Sequence, residues 1–145
     1  MWQKLLQQFQ SPPDDPAARQ RLATAVLLLE CARADFEQNA DELTLVRESL
    51  QRYFSLDAAG LDVLIAEATR ESRQSVSLHD YVNNLNRALQ PADKLELMQM
   101  LWEVAYADGR LDVHEEHLLR KLAELLYVPH RDFIALKLKV AAEHG

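Results

Sequence analysis

Asp108-Gly109-Arg110-Leu111-Asp112-Val113-His114-Glu115 carries the oxygen donors of the second half of a calcium loop. In an EF-hand register Asp108 takes position five, Gly109 six, Leu111 eight, Asp112 nine and Glu115 twelve. Positions one and three would be Val104 and Tyr106, which cannot coordinate and belong to the preceding helix. A complete EF-hand is therefore excluded. A partial oxygen site remains, built from Asp108, the Arg110 carbonyl, Asp112 and Glu115, weak and rich in water. The same stretch also reads as helix punctuation without any ligand. Gly109 supplies a left-handed stop, and Asp112-x-x-Glu115 has capping-box spacing with Asp in place of Ser or Thr. Asp108 is less well explained that way, because a carboxylate in a last helical turn opposes the helix dipole.

An eroded copy of this stretch lies upstream. Glu30, Asp35 and Glu42 match Glu103, Asp108 and Glu115, each pair 73 residues apart, with Phe36 where the second copy has Gly109. Asp35 and Glu42 are thus candidates for a second ligand set. Glu30 and Glu103 sit deep in apolar stretches, where an unpaired charge is expensive. Arg47 and Arg120, at matching positions in the two halves, are candidate ion-pair partners for them, and gathering on a metal is the alternative.

Little else in the chain suggests chemistry. His114 and His117 share a helical face, but His-Glu-Glu-His is not the His-Glu-x-x-His of zinc proteases, so exposed histidines on a charged face are the plain expectation. His79, His130 and His144 have no partner spacing. There is no Ser-His-Asp order, phosphate-cradling glycine loop or cysteine cluster. A non-enzymatic protein is expected. The enzymatic alternative is an acid–base pair of Glu30 and Glu103, which requires both carboxyls in one cleft.

These residues need helices to position them. Ala, Leu, Glu, Gln and Arg dominate, and 3 Gly and 5 Pro leave few turns for a β-rich fold. Met1–Gln10 places Trp2, Leu5, Leu6 and Phe9 on one face of a short amphipathic helix, and the proline-rich stretch 11–16 links it to the rest. Helices are expected over about 16–35, 39–54, 57–71, 77–89, from Pro91 to the acidic turn, 112–127 and 130–144. Pro129 should end the sixth of these by removing a donor. The expectation is an all-α fold of seven to eight helices, with residues 16–145 as one domain. Half-repeats span about 22–72 and 95–141, related by a pseudo-twofold axis because neither unit can bury its apolar face alone.

At 145 residues with 48% apolar content the chain can bury a full core, and its net charge of −7 lacks the basic clusters that grip phosphate backbones. Nucleic acid is not an expected partner; cations and basic protein surfaces are compatible. The single Cys31, in an apolar helix, fits a reducing compartment and reads as a small hydrophobe. No apolar run approaches a membrane span and no secretory leader is visible, so the cytoplasm is the expected location. Peripheral membrane docking through the first helix is the one membrane role compatible with the pattern. Oligomeric state is left open.

Leu28-Leu29-Glu30-Cys31-Ala32-Arg33-Ala34-Asp35 with Tyr53-Phe54-Ser55-Leu56, and Leu101-Trp102-Glu103-Val104-Ala105-Tyr106-Ala107-Asp108-Gly109 with Glu115-Glu116-His117-Leu118-Leu119, resemble the TerB-like tellurite-resistance family. The similarity extends from about Leu22 to Val140. It implies an all-helical fold in two related halves and a bacterial, cytosolic protein linked to tellurite and stress resistance and to membrane-associated complexes. It also implies metal binding by the acidic turn residues, carried here by Asp108, Asp112 and Glu115 and, in the first half, by Asp35 and Glu42. The resulting expectation is a protein-interaction module with a weakly held divalent cation and no other cofactor. A purely structural adaptor without metal is the alternative.

Overall fold

The computed structural model describes residues 15–33, 40–74, 78–107, 111 and 113–144, and among them seven helices follow one another. They are α1 (Pro16–Arg33), α2 (Ala40–Phe54), α3 (Ala58–Arg73), α4 (Leu78–Ala88), α5 (Pro91–Ala105), α6 (Val113–Leu125) and α7 (His130–His144). No strand occurs among the described residues. The amphipathic segment Met1–Gln10 expected from Trp2, Leu5, Leu6 and Phe9 lies outside them, as do Asp35, Asp108 and Asp112.

α1 is the axis of the fold. Pro16 opens it where a missing amide costs nothing, and the Ala17 amide donates to the Asp15 carboxylate at 3.2 Å. From Leu22 to Leu29 every residue is buried, as are Cys31 and Ala32. A helix apolar all round must be covered on all sides, and α1 packs against α2, α3, α4, α5 and α6. α5 plays the same part in the second half, with Leu97, Met98, Leu101, Trp102, Val104 and Ala105 buried. Trp102 stacks on Phe133 of α7 at 4.8 Å, and its indole N–H donates to the Phe133 carbonyl at 3.2 Å. Where α1 crosses α5, the Cys31 thiol points at the Leu101 carbonyl, 3.7 Å away.

The two halves share one burial pattern. Ala25 and Met98, Leu28 and Leu101, Leu29 and Trp102, Val46 and Leu119 are all buried pairs at the 73-residue spacing. After α2 and α6 the spacing becomes 72, and Leu61 with Phe133 and Ala68 with Val140 continue the match.

The strongest sign of duplication is in the backbone. Ser55 and Tyr127 occupy equivalent places and are, among the described residues, the two non-glycine residues with positive φ, at 53° and 59°. Each ends its helix in a Schellman turn: the Leu56 amide reaches back to the Gln51 carbonyl at 3.1 Å, and Val128 to Ala123 at 2.9 Å. The apolar residue after each turn, Leu56 or Val128, then folds onto the core.

The turn corrects one expectation. α6 stops at Leu125 through this left-handed turn, and Pro129 instead opens α7, its carbonyl accepting from the Phe133 amide at 3.0 Å. In the first half Asp57 does the equivalent work, its Oδ1 accepting from the Gly60 amide at 2.7 Å to cap α3. α4 bridges the halves, and Asn86 donates to the Leu125 carbonyl at 2.9 Å, satisfying an acceptor that the end of α6 leaves over.

Candidate functional site

α1 and α5 deliver the chain to the two acidic turns, and α2 and α6 carry it away. Glu42 is the third residue of α2 and Glu115 the third of α6. Both side chains are 0% exposed. Each therefore lies in a first helical turn, where the positive end of the helix dipole favours a carboxylate. A glutamate beginning a helix usually faces solvent, so complete burial of both equivalent residues is a constraint built by the fold.

The two carboxylates also act on one buried thiol. Burial pushes the Cys31 thiol well above its ordinary value of 9.0, and the negative charges of Glu115 and then Glu42 push it further. One thiol at the α1–α5 crossing thus feels the charge of both glutamates. The sequence pattern alone presents the turns as separate ligand sets and Cys31 as a small hydrophobe. The signal available was that Cys31 follows Glu30, the first member of the repeat, on a helix apolar all round.

The donor chemistry of Glu42 and Glu115 is hard. Carboxylate oxygens suit calcium, magnesium or manganese, whereas zinc and copper favour imidazole or thiolate. A buried thiol whose titration is pushed well above its ordinary value offers no thiolate. Among the described residues no three His, Cys, Asp or Glu side chains gather closely enough to hold an ion. Glu42 and Glu115 are the described members of the proposed ligand sets; Asp35, Asp108 and Asp112 lie outside the described residues.

The ion-pair partners expected for the apolar-stretch glutamates are elsewhere. Arg47 pairs with Asp62 of α3 at 2.6 Å, and Arg120 with Glu116 one turn back at 3.6 Å. Both arginines are solvent-facing, and neighbours on their own surface satisfy them without a reach into the core. Glu103, 18% exposed, accepts from Gln99 at 3.1 Å and faces Arg52 at 3.9 Å. Glu30 accepts from the Ser72 hydroxyl of α3. Glu103 lines a large cavity that Glu30 does not line, so the shared cleft needed by an acid–base pair of Glu30 and Glu103 is not formed there. His114 and His117 are both exposed. Glu116, between them, accepts from Lys137 of α7 at 2.8 Å.

A family model described as tellurite resistance protein TerB matches residues 21–138, a span that includes both acidic turns. The chain belongs to the TerB family. No curated protein and no solved structure matches it. Among the described residues no helix is long and apolar enough to cross a membrane.

Proposed function

We propose that this member of the TerB family is a non-enzymatic module that holds a divalent cation at its acidic turns and presents the resulting surface to a protein partner, within the tellurite and stress responses the family is linked to. The observation that carries the reading is the equivalent and complete burial of Glu42 and Glu115. Charge kept for solubility sits on the surface; a carboxylate buried twice at the same place in a repeat has a local purpose. Interior carboxylates are held by hydrogen bonds, by opposite charge or by metal. Asp108 and Asp112 stand seven and three residues before Glu115, and Asp35 stands seven before Glu42. Together they make up oxygen-rich sets of the kind that take calcium or manganese weakly. The second turn is the stronger site, because Gly109 allows the tight bend that Phe36 resists.

Thermal unfolding in chelator and in millimolar calcium, magnesium or manganese tests this. A bound ion at ten times its dissociation constant adds about 1.4 kcal/mol of stability, so the melting temperature should rise by several degrees. Asp108→Asn and Glu115→Gln should each remove that rise. A melt unmoved by all three cations leaves the acids as helix caps and the protein as an adaptor without metal.

A further inference from the structure

A cavity of about 820 Å³ opens between α1, α2, α5 and α7, a volume suited to a small organic ligand. Its α5 wall is a single helical stripe of Glu96, Gln99, Met100 and Glu103. Glu96 and Glu103 stand two turns apart on that stripe, about 10 Å along the axis. α2 contributes Ser49, Arg52 and the edge-to-face pair Tyr53–Phe54, with ring centres 4.7 Å apart. Glu143 of α7 adds a third carboxylate.

Three features of this wall point to a ligand. Its described charges are three carboxylates against one guanidinium, and that guanidinium, on Arg52, is 70% exposed and already turned to Glu103. Acceptors on the wall already draw cations, since Lys139 of α7 donates to Gln99 at 3.2 Å. Ser49, in the cavity lining, is 1% exposed, and its hydroxyl has no hydrogen-bond partner among the described residues. Helical hydroxyls commonly return to the carbonyl four residues back, as Thr24 does to Gln20 at 2.8 Å. Ser49 does not, which leaves a buried polar atom in the lining of an electronegative cavity.

A compact metal ion fits this wall poorly. It would meet one carboxylate at a time and gain nothing from Met100, Tyr53 or Phe54. Separated positive charges joined by apolar segments match it at each point. We propose that this cavity binds an aliphatic polyamine, with ammonium groups on Glu96, Glu103 and Glu143, methylene segments over Met100 and the two rings, and the Ser49 hydroxyl as an inner acceptor. Ammonium groups also gain from the faces of tyrosine and phenylalanine. The negative field is felt at Tyr53, whose phenol is pushed upward by burial and by the nearby Glu96 and Asp93 carboxylates. The site is independent of the cation site proposed above and stands or falls separately.

Calorimetric titration of the full chain with spermidine, at physiological salt and without divalent metal, tests the proposal. One spermidine per chain is expected. Glu96→Gln with Glu143→Gln, both at exposed positions, should weaken it at least tenfold, the change expected for losing one charge-assisted hydrogen bond. Glu124→Gln, outside the cavity, should leave binding unchanged. Ser49→Ala should fold, with an apo melting temperature equal to or above that of the parent, and bind several-fold more weakly. Absence of spermidine heat overturns the proposal. So does equal weakening by Glu124→Gln, because attraction would then be diffuse and due to net charge alone. Should Ser49→Ala fail to fold, the Glu96/Glu143 pair decides.

Discussion

At the scale of single residues the distinctive fact is a buried thiol that feels the charge of two interior carboxylates. Desolvation, then Glu115, then Glu42 raise the Cys31 titration above its unfolded value of 9.0. The native state therefore keeps a proton that the unfolded chain gives up. Stability from this group is fully present below pH 9 and is lost as pH rises toward the folded value. The melting temperature should fall on the alkaline side, and Cys31→Ala should lessen that fall in the range just above pH 9. Tyr81, which donates to Glu71 at 2.6 Å and is also shifted upward, adds a loss at higher pH that this variant leaves in place. A thiol reagent such as DTNB should label Cys31 at the rate of unfolding, with full labelling in denaturant. Rapid labelling of the native protein would contradict the burial. From sequence, Cys31 was correctly placed in an apolar helix. Its electrostatic surroundings were not legible, because they come from residues 11 and 84 positions away that only the tertiary fold brings close.

At the scale of elements, helix identity was legible and helix endings less so. The apolar stripes of α2, α3 and α5 follow the 3.6-residue period, and Pro16 and Pro91 mark starts that the structure keeps. The left-handed turns at Ser55 and Tyr127 carried no glycine to announce them. Geometry there is imposed by Leu56 and Val128, whose burial draws the chain around a corner that an L-residue adopts at a cost. Ser55→Gly should relieve that cost and stabilise the protein by about 0.5–1 kcal/mol after the added unfolded-state entropy is taken off. Urea unfolding measures it. Tyr127→Gly should gain less, since Tyr127, 78% exposed, gives up its contact with Lys94, whose ammonium lies 5.6 Å from the ring centre. Conversely, Asp57→Ala removes the cap of α3 and should cost about 1 kcal/mol. A stabilising result for Asp57→Ala would contradict the capping geometry.

At the scale of the molecule the duplication was readable from three acid pairs at one spacing, and the structure extends it through the burial pattern and both Schellman turns. The expected pairing of Glu30 and Glu103 with Arg47 and Arg120 was not: symmetry of sequence does not fix which surface neighbour a long side chain finds. The halves also share α1, which packs on α5 and α6 as well as on its own unit. Neither half carries a complete core. Fragments ending or beginning near Leu89 should therefore lack a cooperative thermal transition alone and regain one when mixed. A cooperative melt of either fragment by itself would show two domains in place of one.

Cation binding at the acidic turns is read most directly by manganese titration followed by NMR. Paramagnetic broadening at substoichiometric Mn²⁺ should appear first at the amides of residues 113–117, then around Glu42, and should be lost there in Glu115→Gln. Broadening spread evenly over the exposed carboxylates, unchanged by that substitution, would contradict the account.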